Sequence, residues 1–90
     1  MRIGYDPAKR ETTLRERGLD FEDARAVFAG RVITRLDARE DYGEDRYQTF
    51  GYLRGRMVAL VRTPRGNDRR IISMRYCNDP EQRRYSQHLD

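Results

Sequence analysis

Apolar residues along this chain fall into segments whose spacing separates helices from strands. "RIGYD" (2–6) predicts a short opening strand. Asp6-Pro7 then marks a helix start, with a capping carboxylate and a proline at the first helical position, where no backbone N–H is needed. That helix is expected to run to about Arg17 and to stop at Gly18, a natural left-handed C-terminal residue. A second helix begins at Asp20, sets Phe21, Ala24, Val27 and Phe28 on one face, and ends at Gly30. "RVITRL" (31–36) reads either as a short strand or as an extended connection, and "DAREDYGEDR" (37–46) as an exposed loop.

Three strands are expected next. "RYQTFGYL" (46–53) and "RMVALVR" (56–62) flank a two-residue Arg54-Gly55 hairpin loop, and the turn "TPRGND" (63–68) leads into "RRIISMRYC" (69–77). Asp79-Pro80 repeats the helix-start device, with Gln82 as capping-box partner, and opens a last helix. The pattern predicts a single domain over 1–90 of the α+β class. Its antiparallel three- to four-stranded sheet is packed by two N-terminal helices and one C-terminal helix, in one helical layer.

Strand alternation sorts the side chains by face. A tight Arg54-Gly55 turn pairs Tyr52 with Met57, Phe50 with Ala59 and Gln48 with Val61, and Ile72, Met74 and Tyr76 are expected to continue that apolar face. Phe21, Val27, Phe28, Phe50, Ile72 and Met74 should then share one core. The opposite face collects Tyr47, Thr49, Val58, Leu60, Arg62, Ile71, Ser73 and Arg75, a half-open groove that is apolar in its middle and edged by arginine. A one-residue slip would exchange the two faces.

Composition narrows the chemistry. Charged residues make up 38% of the chain, the net charge is +4, and Lys9 is the only lysine among the cations. The guanidinium fork suits RNA phosphates or acidic proteins, although a GC-rich genome produces the same bias. A lone Cys77 excludes an intrachain disulfide, and with His88 the single histidine no metal ligand set or cofactor is expected. The chain has no apolar run near the ~20 residues of a membrane span and no signal-peptide pattern, so a cytoplasmic location is expected. Guanidinium, phenol, hydroxyl and carboxylate groups suffice for RNA cleavage without metal, because the substrate carries its own 2′-OH nucleophile. Plainer readings stand beside this one: Ser73 and Arg75 as edge-strand groups that blunt aggregation, the tyrosines as core or rim aromatics, and Arg83 and Arg84 as a solvated helix face.

Several segments together resemble the BrnT toxins, ribonuclease partners of BrnA in bacterial type II toxin–antitoxin pairs. They are "YDPAK…LRERGLDFEDARAVF", "YGEDRY" (42–47), "RIISMR" (70–75), and Glu81, Arg84 and Tyr85 of the last helix. The resemblance implies a RelE-like fold, metal-independent RNA cleavage that arrests translation, and a tight complex with a BrnA-like antitoxin, through which alone the toxin would meet DNA. On this basis Arg75 and Arg46 are expected to stabilise the phosphate and transition state, and Ser73 to orient Arg75 or the substrate. Tyr85 or Glu81 would move protons, and Arg62, Arg70, Arg84 and Tyr47 would grip RNA. The family usually has histidine where Arg17 stands, so the alternative is a catalytically impaired homologue that binds RNA or antitoxin.

Overall fold

A computed structural model describes residues 2–90. β1 (Arg2–Tyr5) leads into α1 (Pro7–Arg17), whose N-terminus is capped by the Asp6 carboxylate accepting from the Ala8 N–H at 2.9 Å. Gly18 ends α1 at φ +69°, the left-handed conformation expected of it. Asp20 caps a 3₁₀ turn (Phe21–Asp23) that continues as α2 (Ala24–Ala29). β2 (Val32–Leu36) resolves the open reading of that segment in favour of a strand. β3 (Tyr47–Leu53), β4 (Arg56–Arg65) and β5 (Asp68–Tyr76) precede α3 (Asp79–Leu89). No helix among the described residues is long and apolar enough to cross a membrane.

The strand order is β1-β5-β4-β3-β2. The expected antiparallel sheet of three to four strands is therefore corrected, among the described residues, to a five-stranded mixed sheet, because β1 pairs parallel to β5. Arg54 and Gly55 both take positive φ (49° and 81°), as a tight hairpin turn whose twist matches the strands requires. The expected pairs Tyr52–Met57, Phe50–Ala59 and Gln48–Val61 all occur.

The β4–β5 pairing departs from expectation, and the departure has one cause. The two-residue turn at Gly66-Asn67 pairs Arg65 with Asp68 and carries that register to Arg62–Ile71. Continued unbroken, it would pair Val61 with Ile72 and Ala59 with Met74, the arrangement the alternation predicted. Instead the register shifts between Val61 and Arg62, and Val61 pairs with Ser73 and Ala59 with Arg75. Ile72 is the extra residue. One inserted residue moves every later side chain of the strand to the other face.

Two cores result. Leu19, Phe21, Ala24 and Val27 pack with Val58, Leu60, Ile71 and Met74 on one face. On the other, Tyr85 and Leu89 of α3 pack with Phe50, Met57, Ala59 and Cys77. The single expected core is thus corrected: Phe50 lies across the sheet from Phe21, Val27 and Met74, while Ile72 is only half-buried. Both sheet faces are apolar in the middle, so helices cover both. α1 itself buries no residue. It is tied down by the Arg10 fork on Asp20 (2.8 and 3.0 Å) and by Arg17, which donates to the Met74 carbonyl at 3.0 Å.

α2 approaches β3 closely over Gly51. A Cβ there would stand 2.9 Å from Val27 Cγ1 and 3.1 Å from Val32 Cγ1, with the Arg31 carbonyl at 3.3 Å. Gly51→Ala should cost about 1–3 kcal/mol, the usual penalty of overpacking. A urea melt with an unchanged midpoint would show that α2 yields freely at this contact.

Candidate functional site

The inserted Ile72 brings Arg75 to the face on which α3 lies. α3 begins one residue earlier than expected: Asn78, not Asp79, is the N-cap, and Glu81, not Gln82, is its capping-box partner. Glu81 accepts from the Asn78 N–H at 3.0 Å while the Asn78 side chain accepts from the Glu81 N–H at 2.9 Å. The same carboxylate receives the Arg75 fork, Nη1 on Oε1 at 2.7 Å and Nη2 on Oε2 at 2.6 Å. Arg75 is the main reason that the Glu81 carboxyl is held below the usual glutamate range, and Glu81 raises Arg75 in turn. Both stay ionised at neutral pH.

One turn further along α3, Tyr85 stacks on Phe50 with ring centroids 4.1 Å apart and planes 23° from parallel. Its phenol oxygen accepts a hydrogen bond from Arg35 Nη1 at 2.9 Å, which leaves its own O–H free to donate. Strand alternation explains the approach: Arg35 pairs with Gln48 and Ile33 with Phe50, so Arg35 faces α3. Arg84 sets its guanidinium 5.9 Å from the Tyr85 ring centroid.

Together these groups line a cleft of about 440 Å³ between α3, β2 and the start of the 37–46 loop, with Arg35, Arg39, Gln48, Glu81, Arg84 and Tyr85 in its walls. At one side Asp37, 6% exposed, receives the Arg39 fork with both contacts at 2.7 Å. Arg39 holds the Asp37 carboxyl below the usual range. Both carboxylates of the cleft are therefore matched by an arginine fork, whereas Arg35 and Arg84 belong to no ion pair among the described residues.

Of the residues singled out in the sequence, Glu81, Arg84 and Tyr85 come together in the lining of this cleft, and Arg75 reaches it only through its fork on Glu81. Arg46 lies beyond the 36–38 wall in a neighbouring pocket, over the Tyr42 ring at 4.1 Å and donating to Glu44 at 3.3 Å. Ser73 lines the groove between β5 and α1 rather than the cleft, and Arg17 lines that groove too. Arg70 pairs with Gly4 and Thr63, away from the cleft lining. Arg62 and Tyr47 pair with each other across β3 and β4, in line with Leu60 and Thr49 on the opposite face of the sheet. The sequence reading missed Arg35, Asp37 and Arg39. Alternation from Ile33 would have found Arg35, had 31–36 been read firmly as a strand. No such signal marks Asp37 and Arg39, which lie in irregular chain.

In chemical terms the cleft offers two guanidiniums without carboxylate partners, a phenol with a free proton and an ionised carboxylate beside it. That set can hold a phosphodiester and move protons at its two ester oxygens. Comparison with curated proteins found no match. The family model described as "Ribonuclease toxin, BrnT, of type II toxin-antitoxin system" matches residues 5–81, from Tyr5 at the end of β1 to Glu81 in the first turn of α3. A match over most of its length, ending inside the helix that builds the cleft, places this chain in the BrnT family of ribonuclease toxins.

Proposed function

We propose that the chain is an endoribonuclease that works without metal in the cleft between α3 and β2, arrests translation and is neutralised by a BrnA-like antitoxin. The observation that carries this is the Tyr85 phenol, buried on Phe50, held by Arg35 and flanked by Arg84 and Glu81. Arg35 and Arg84 bind the non-bridging phosphate oxygens and take up the charge of the pentavalent transition state. The Glu81 carboxylate receives the proton of the 2′-OH as the 2′-oxygen bonds to phosphorus. The bond from phosphorus to the 5′-oxygen breaks, and that oxygen takes the Tyr85 proton. Water returns the proton from Glu81 to the phenolate, and the products are a 2′,3′-cyclic phosphate and a 5′-hydroxyl.

Arg75 acts in this scheme as a positioning residue, because both ends of its fork are engaged by Glu81. The antiparallel β2–β5 strands with α3 across one face would serve as the RelE-like platform. Arg17 stands outside the cleft with its guanidinium on the Met74 carbonyl, so its identity bears little on the chemistry of Tyr85. The purified protein should cut single-stranded RNA in EDTA and leave those two end groups. Cleavage that begins only when a divalent ion is added, or that leaves 5′-phosphates, would overturn the mechanism. A folded protein that binds RNA and never cuts it would establish the impaired homologue.

A further inference from the structure

The sheet face opposite the cleft is incompletely covered. α2 stops at Ala29 after six residues, leaving Phe28 half-buried at its end. Beyond it Arg62 lies between two rings, its guanidinium carbon 5.5 Å from the Phe28 centroid and 5.2 Å from that of Tyr47. Arg69 sits over the other part of this surface, 4.2 Å from the Phe28 centroid. Neither arginine is ion-paired among the described residues, and the Arg62 Nε is buried without a hydrogen-bond partner. Burial, followed by repulsion from Arg69, depresses the Arg62 pKa. A half-buried cation with no counter-charge and one unsatisfied donor costs the free protein stability, and an anion placed against it recovers that cost.

The surroundings say which kind of anion. Leu36, Tyr47 and Arg62 stand in one cross-strand row, running from the sheet edge to the recessed guanidinium. β2 is an edge strand, and its Val32 and Leu36 are 37% and 55% exposed. A free strand edge and exposed aliphatic groups match a polypeptide, which pairs its backbone and buries its side chains there. A carboxylate on a flexible side chain can also reach a recessed guanidinium more easily than a phosphate flanked by two riboses. We propose that this face docks an acidic segment of a partner polypeptide, with a carboxylate on Arg62 and Arg69 and apolar side chains against Phe28, Tyr47 and Leu36.

The test uses a synthetic amphipathic peptide of glutamate and leucine and, separately, an uncleavable 2′-O-methyl RNA, both followed at the arginine Nε–Hε resonances. The peptide should shift Arg62 and Arg69, and Arg62→Gln or Arg69→Gln should weaken it by about tenfold or more, since each loses a charged hydrogen bond. Arg84→Gln, across the sheet, should bind the peptide as wild type does. Arg62→Gln should melt no lower than the parent, because it removes a half-buried, unpaired cation whose Nε has no partner, so lost binding cannot be put down to unfolding. Peptide binding that ignores both substitutions, or no binding at all, overturns the proposal. So does RNA that shifts these two arginines at lower concentration than the peptide.

Discussion

Tyr85→Phe should lower the rate of RNA cleavage by about 10²–10⁴, the range lost when a positioned general acid is removed. The ring and its stacking on Phe50 remain, so packing is unchanged. The lost hydrogen bond is the one from Arg35, an exposed side chain that water can satisfy, so stability should fall by no more than about 1 kcal/mol. Rate and stability are thus separated in one variant. If the phenol only fills space, Tyr85→Phe will cut RNA as wild type does, and the free phenolic O–H will have no part in the chemistry. Oligonucleotides with a better leaving group at the 5′-oxygen sharpen the test. They need less help from an acid, so the penalty should shrink for them.

Phe50→Ala should be the most damaging of the core substitutions on the α3 face. Phe50 is 1% exposed, and truncation of a buried phenylalanine costs about 3–5 kcal/mol. For a domain of this size that is a large share of a total near 5–13 kcal/mol. Denaturant melts measure the loss directly. Its structural signature should be local: Tyr85 and Leu89 lose their partner, while the Phe21 and Met74 core across the sheet keeps its packing. Amide exchange should therefore quicken along α3 before it quickens in α2. If both helices loosen together, the two cores behave as one.

Much of this fold was written in local signals. Asp6-Pro7, Gly18 and the Arg54-Gly55 turn act through backbone conformations that only a few residues supply, so their consequences are legible one residue at a time. The β4–β5 register is different. It depends on whether Ile72 is accommodated as an extra residue, and both registers present apolar alternation, so the choice falls to packing against helices far away in sequence. That choice decided where Arg75 points. Glu81 and Tyr85 were found through the resemblance of the last helix to the BrnT toxins, whereas the local reading misplaced the N-cap, which lies at Asn78, and with it the residue that closes the capping box. Arg39 and Asp37 join the cleft through irregular chain that no period describes. Arg62 and Tyr47 show the reverse case: their side-chain types suit RNA, yet the strand pairing sends them to the other face.

In the proposed mechanism Arg35 and Arg84 hold RNA in the α3–β2 cleft. The most direct measurement is the arginine Nε–Hε spectrum during titration with a 2′-O-methyl oligoribonucleotide, which binds but cannot be cut. The Arg35 and Arg84 resonances should move together and saturably, and Arg84→Gln should weaken the binding. Resonances of Arg35 and Arg84 that stay in place while RNA binds elsewhere on the protein would contradict it.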